Sequence, residues 1–490
     1  MCTGNTSPQL DLTTCRRAVK LKVFMTASIE QLMAELEQRY RAKTVQSQRL
    51  YERAEKVMVR GGSHSIRLWR PYPFFLYGAK GATVRDVDGN SYIDYWQGHY
   101  ANVLGHQPDL GAEDIPGPEP GISLHTGFEN EVQIELAELI LQQLGWPDHR
   151  IRFTTSGTLA ATYAVMLALS ATGRDLIVKA GGGWHGASPY LLKGVQYVPG
   201  TGFSEMDSDG IPPELKRNIL LTRYNDGDDL EILFRRHGGR IACLILEPFL
   251  GVGGFLPASK DYLRLARRLT HEYGAVFIAD EVISGFRFGP SGVMTLHSIE
   301  PDLSVLGKVI GGGHAVAAVA GRKDIMAVCE KGRDARSVQF QGGTFSAHPT
   351  YMKAGCSILR YLIREADRVY PRLARLGETL RRGIEEACRE EGVKVRCTGY
   401  AGEFVGGSSL FMVHFPRKFA DFTRPEEVWD PDLSDVRMRE EILKLALLME
   451  GVHVVHGGGA VSNAHESGQI AATIQAYASA VRFLKDHLTQ

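Results

Sequence analysis

Between residues 151 and 331 the chain alternates two kinds of apolar pattern. Short, often β-branched runs at 151–155, 175–179, 217–221, 241–246, 275–279 and 303–306 read as buried strands. Helical spacing at 157–172, 227–236, 258–273 and 322–331 separates several of them. Strands separated by helices cannot pair through tight hairpins. The alternation therefore calls for an α/β fold with a largely parallel sheet and helices on both faces. Ligands in such sheets sit beyond the carboxyl ends of the strands, so functional residues are sought there.

The flanks follow a different pattern. Residues 28–57 carry Ile29, Leu32, Met33 and Leu36 at helical spacing, and Ser28 with Gln31 resembles a helix-opening cap. A hairpin is expected over 82–95 with Asp88-Gly89 at its turn, a loop over 107–128, and a helix over 130–145 ending at Gly145. After residue 349 come long helices to about 391, antiparallel strands near 393–415, and helices at 433–450 and 467–486. The expected organisation is a large domain over 106–370 and a smaller α+β domain over 371–490, completed by residues 25–105. Residues 1–24 are polar, then basic, and read as disordered or as an upstream extension.

Composition narrows the function classes. Lys plus Arg equals Asp plus Glu at 56 each, which offers no polyanion-binding surface, so no nucleic-acid partner is expected. No apolar run approaches the roughly 18 residues of a membrane span. Seven cysteines, odd in number and without a CxxC pair, suit a reducing, cytoplasmic compartment.

One lysine stands out. "SVLGKVIGGG" (304–313) places Lys308 between a strand end and a glycine run, with no other charge nearby. A phosphate-loop lysine would need Gly at 302 and Ser or Thr at 309, where the chain has Asp and Val. Other stretches supply possible partners. "AVFIADEVISGFRFG" (275–289) ends a buried strand at Asp280, which either braces the turn or faces a cation. "TTSGTLAATYAVMLALSATG" (154–173) puts Ser156, Gly157 and Thr158 at a helix start that suits an anion. "GGGWHGAS" (181–188) offers Trp184 and His185 as cover for a flat ring. "LILEPFLGVGG" (244–254) adds Glu247, and "QGGTFSAHP" (341–349) adds Thr344 as a second phosphate contact. An anion, a flat ring, a cationic ring nitrogen and a carbonyl together describe pyridoxal 5′-phosphate.

On these motifs the chain resembles the class III pyridoxal-phosphate-dependent aminotransferases, closest to the branch of the glutamate-1-semialdehyde 2,1-aminomutases. The likeness runs from about residue 58 to 485 through "DVDGNSYIDY", "RFTTSGTLAA", "WHG", "RYND", "LEPFLGVGG", "DEVISGFR", "PDLSVLGKVIGGG" and "GGTFSAHP". It implies the fold type I architecture. It also implies an internal aldimine on Lys308, which then shuttles the substrate proton, and Asp280 paired with the ring nitrogen. Val282 would lie on one ring face opposite Trp184. Gly157 and Thr158 would hold the phosphate, with Thr344 reaching in from the second subunit of a homodimer. Leu159, Trp184 and Ile283 depart from the residues commonest across class III; at 283 an apolar residue is usual in the aminomutase branch.

"VRGGSHSIRLWRPYP" (59–73) resembles that branch's carboxylate-binding stretch, with Ser65 and Arg67 as contacts and Arg70 as a second possibility. His99 and Tyr100 would add pocket wall. The glycine loop at 455–466 carries no arginine. The leading reading is an aminotransferase moving an amino group between an amino acid or amine and a keto acid or aldehyde. The alternative is intramolecular transfer of the glutamate-1-semialdehyde type. The glycines at 311–313 would let the chain pass close to the cofactor.

Overall fold

The structure, a computed structural model, describes residues 29–111, 127–330, 337–402, 405–418 and 422–488. The readings made of residues 1–24, of Ser28 and of most of the 107–128 loop lie outside them. At the centre is a seven-stranded sheet in the order Arg150–Thr154, Ala317–Gly321, Leu303–Leu306, Val276–Asp280, Ile241–Leu246, Leu176–Ala180, Ile219–Thr222. Ala317–Gly321 runs antiparallel to both neighbours, and the other six share one direction. Six of these strands fall on the apolar runs; Ala317–Gly321 does not. Its sequence, AAVAG, has one β-branched residue and no alternation. The helix expected over 322–331 is shorter, Lys323–Met326 followed by a 3₁₀ turn.

Both faces of the sheet are buried. Val276 and Ile278 pack with Ala160, Ala164 and Val165 of the helix Gly157–Thr172. Phe277 and Ala279, one residue out of phase, pack with Leu230, Leu263 and Ala266 of the helices Gly227–His237 and Lys260–Tyr273. Opposite phases on opposite faces follow from the two-residue period of a strand.

The chain ends build a second core. Leu32, Met33, Leu36 and Tyr40 pack with Leu380, Ile384, Tyr477 and Val481. A small sheet joins the termini, because Ser91–Asp94 pairs in parallel with Val452–His453. The helix Ala366–Glu390 serves both cores. Val369 and Leu373 face the large-domain core, and Leu376 to Cys388 face the second. The handover in packing therefore falls inside this helix, just beyond Leu373. Among the described residues no helix is long and apolar enough to cross a membrane.

Candidate active site

Because six strands share a direction, their carboxyl ends share one edge, and the stretches singled out above leave from it. Thr154 leads through Ser156 into the helix Gly157–Thr172. Ser156 Oγ accepts the Leu159 N–H at 3.3 Å as the helix cap. The N–H groups of Gly157 and Thr158 have no intrahelical acceptor, so this turn attracts an anion. The 181–188 loop passes directly over it. A Cβ on Gly186, where φ is +82°, would come 2.3 Å from Thr158 Oγ1, so only glycine fits.

Asp280 ends its strand buried, with Oδ1 accepting the Val282 N–H at 3.0 Å and Oδ2 accepting His185 Nδ1–H at 2.7 Å. Among the described residues no lysine or arginine stands within ion-pair distance of this carboxylate. His185 was expected to cover a ring beside Trp184. It is instead buried, and it is bonded to Asp280 because a buried carboxylate needs a donor. Burial lowers the His185 pKa, and Asp280 opposes that shift. Trp184 alone stays open, at 36% exposure.

Glu247 connects two loops. Its Oε1 accepts the Trp184 N–H at 2.8 Å and its Oε2 the Gly251 N–H at 2.9 Å. Burial, reinforced by the charge of Asp280, pushes this carboxyl up to about 8. Beneath the same loop, Lys179 Nζ donates to Gly183 O at 2.9 Å and Lys193 O at 2.7 Å. Burial pushes that amine down to about 8.

Lys308 opens a 3₁₀ turn after the strand Leu303–Leu306, with φ +50°. Burial lowers the pKa of its amine; Asp280 and Glu247 oppose this and Arg287 adds to it. Val282 lies between Lys308 and the anion turn. A Cβ on Gly307 would stand 3.4 Å from Val282 Cγ1, and one on Gly157 3.0 Å from Val282 Cγ2. Of the glycines that follow, Gly312 permits close packing on the helix Pro349–Arg364, since a Cβ there would meet Ala354 O at 2.8 Å.

On the substrate side, Gln97, Gly98, His99 and Tyr100 have φ of 43°, 61°, 60° and 64°. Four successive left-handed residues form a strained turn, at about 1–2 kcal/mol for each one that is not glycine. Asp94 Oδ2 accepts the Gln97 N–H at 2.9 Å and helps to hold it. The turn presents His99, whose Nε2 accepts from Arg67 Nε at 2.9 Å. Burial, then the nearby Arg67, His64 and Lys308, push the imidazole down to about 4. Arg67 and His99 thus reach the neighbourhood of Lys308. Arg70 is engaged by Glu37 at 2.5 Å. Tyr100 is buried against Phe255 and contributes its carbonyl rather than an open ring face. Ser65, Arg67 and Thr344 are exposed in this one chain.

The sequence reading did not single out Lys179 or Arg287. Lys179 left a signal, as the one charge inside the apolar run "LIVKA". Arg287 left none, since an arginine two residues beyond a loop glycine is ordinary.

Asp280 wants a cation that the described protein does not supply, and the turn at Gly157 wants an anion. Both groups can be carried by one flat molecule that also has a carbonyl for Lys308. The residues fit pyridoxal 5′-phosphate, and the fold with this site defines an enzyme of that cofactor. The family model for class III aminotransferases matches residues 67–406, and the chain belongs to that family. The glutamate-1-semialdehyde 2,1-aminomutase of Methanothermobacter thermautotrophicus is 35% identical over 450 residues, covering 90% of this chain and all of that one. A β-phenylalanine aminotransferase from Variovorax paradoxus has a similar structure, with TM-score 0.79 and 30% identity over 94% of this chain and 98% of that one. An omega-transaminase from Sphaerobacter thermophilus gives 0.77 and 29% over 90% and 98%.

Proposed function

We propose that this enzyme moves an amino group within one small carboxylate-bearing substrate, as glutamate-1-semialdehyde 2,1-aminomutases do. The observation that carries this reading is the 2.9 Å hydrogen bond between Arg67 and His99, whose imidazole Lys308 is near enough to influence. A guanidinium held by a neutral imidazole keeps its remaining N–H groups for a carboxylate. The 455–466 loop has no arginine to hold the carboxylate of a second substrate. The aminomutase relatives, matched along nearly their whole length, support the same reading.

When bound, pyridoxal phosphate supplies a carbonyl for amine exchange and a ring that withdraws electrons from the substrate carbon. The chain's own residues do the rest. Gly157 and Thr158 would hold the phosphate, and Asp280, oriented by His185, would pair with the ring nitrogen. Val282 and Trp184 would flank the ring. Lys308, whose amine pKa burial lowers, would bond the carbonyl and then carry the proton at the substrate carbon. Arg67, with Ser65, holds the substrate carboxylate, and His99 forms the wall. A homodimer would bring Thr344 to the phosphate of the partner subunit. Phe345 beside it is 60% exposed, an apolar surface suited to such a contact.

Intermolecular transfer between an amino acid and a keto acid or aldehyde is the second reading. Two observations favour it: the aromatic wall in which the Trp96 and His99 rings lie 4.2 Å apart, and the likeness to the β-phenylalanine aminotransferase. One experiment separates the two. The holoenzyme is given glutamate 1-semialdehyde alone, then β-phenylalanine with 2-oxoglutarate. Conversion of the first without a co-substrate supports the aminomutase. Transfer to the keto acid, with no conversion of the first, replaces it by the aminotransferase.

A further inference from the structure

Asp94 is buried at the end of the strand Ser91–Asp94, and both of its carboxylate oxygens are doubly engaged. Oδ1 accepts the Trp96 N–H at 3.0 Å and His453 Nδ1–H at 2.8 Å. Oδ2 accepts the Gln97 N–H at 2.9 Å and His106 Nε2–H at 2.9 Å. A carboxylate offers about four acceptor sites, so this one is full. Each oxygen joins one backbone donor at the start of the left-handed turn to one imidazole from another segment.

The imidazoles are themselves held. His453 lies on the strand that pairs with Ser91–Asp94. Its ring packs on Trp69 and Phe74, with centroids at 5.9 and 5.3 Å, and its Nε2 has no hydrogen-bond partner among the described residues. Phenylalanine would fill such an aromatic place. What the imidazole adds is the donor to Asp94. His106 exchanges backbone hydrogen bonds with Gly81, at 2.8 Å in both directions, and its Nδ1 lies 3.3 Å from Asn102 Nδ2. Burial would raise the Asp94 pKa, but the hydrogen bonds from His106 and His453 outweigh it and hold this carboxyl below the ordinary range.

The turn needs such a clamp. Gln97, His99 and Tyr100 are left-handed without being glycine, a conformation that L-residues avoid. A charged acceptor at its first N–H groups compensates. At the other end of the turn, His99 Nε2 accepts from Arg67 Nε at 2.9 Å. Arg67 lies on a separate segment, the 3₁₀ turn Ser65–Arg67, so any relaxation of the His99 turn withdraws the acceptor from it.

We infer that Asp94 is a positioning residue: clamped by His453 and His106, it fixes the left-handed turn so that His99 fastens Arg67. Its bearing on catalysis rests on the proposed role of Arg67 in holding the substrate carboxylate.

The His99 ring reports on the clamp. Its Nε2 accepts a hydrogen bond, so Nδ1 carries the proton and the one free lone pair is covered by Arg67. Holoenzyme without substrate is treated with diethyl pyrocarbonate near neutral pH, and acylation of His99 is timed by peptide mass spectrometry. Arg67→Ala should speed it about 10-fold, the worth of one hydrogen bond. Asp94→Asn should give a similar rise. Whichever way the asparagine amide is turned, its NH₂ faces a backbone N–H, so the bond to Trp96 or to Gln97 is lost. The double variant should be no faster than the single ones, because both act through one contact.

A merely structural role would lower the melting temperature and leave His99 as slow as before. That result, or rises that multiply in the double variant, overturns the inference. An unchanged rate in Arg67→Ala overturns it as well, since His99 is then not covered by Arg67. If Asp94→Asn does not fold, His453→Phe decides. It suits the aromatic surroundings and strips one donor from Oδ1, so a rise of about threefold supports the inference and an unchanged rate overturns it. The carboxylate role of Arg67 is read separately, from the KM of Arg67→Ala for a carboxylate substrate. An unchanged KM removes that role, while the labelling still decides the clamp.

Discussion

Asp280 Oδ2 and His185 Nδ1 stand 2.7 Å apart, both side chains buried at the carboxyl edge of the sheet. The imidazole fixes one carboxylate oxygen and the Val282 N–H fixes the other, which leaves the acid aimed to receive a cation. Asp280→Asn removes the charge and should lower kcat by about 10²-fold or more. His185→Ala keeps the charge but strips one donor, so a smaller loss of kcat is expected, with weaker cofactor retention. Steady-state kinetics and dialysis of the holoenzyme check both.

Glu247 predicts a pH dependence of stability. Its folded pKa is about 8 against an ordinary 4.5. The folded state therefore binds the proton more tightly than the unfolded chain. The stability this gives is fully present below about pH 4.5 and is lost as pH rises to about 8, by at most about 1.4 kcal/mol per pH unit. Glu247→Gln should flatten that part of the profile in cofactor-free protein, measured by urea unfolding from pH 5 to 8.

Lys179 holds the loop that carries Trp184 from below. Lys179→Met leaves the carbonyls of Gly183 and Lys193 without this donor and should cost about 2 kcal/mol or more. Thermal unfolding checks the loss. Quenching of Trp184 fluorescence by the cofactor should weaken in parallel.

Arg67 is expected to act on binding more than on chemistry. Arg67→Ala should raise KM for a carboxylate substrate about 10- to 100-fold with a smaller change in kcat. Arg67→Lys should recover only part of this, because an ammonium lacks the planar fork. An amine substrate without a carboxylate should be indifferent to both changes.

The legible parts of the chain are those where chemistry and period coincide. Strands such as Ile241–Leu246 are continuous apolar runs because both faces are covered, and Asp280 and Lys308 interrupt such runs at their ends. Ala317–Gly321 was hidden because alanine and glycine carry no strand signal; its neighbours on both sides make it a strand. The left-handed turn at 97–100 could not be read from "QGHY", where only Gly98 suggests positive φ. His185 was singled out, but its partner was not, since 95 residues separate it from Asp280. Arg287 is defined wholly by tertiary contacts.

Lys308 is expected to be the amine that carries the cofactor. Borohydride reduction of the holoenzyme, followed by peptide mapping, reads this bond. One modified peptide is expected, carrying the cofactor's mass on Lys308, and none in Lys308→Ala. Modification of another lysine, or a modified peptide that survives in Lys308→Ala, would contradict it.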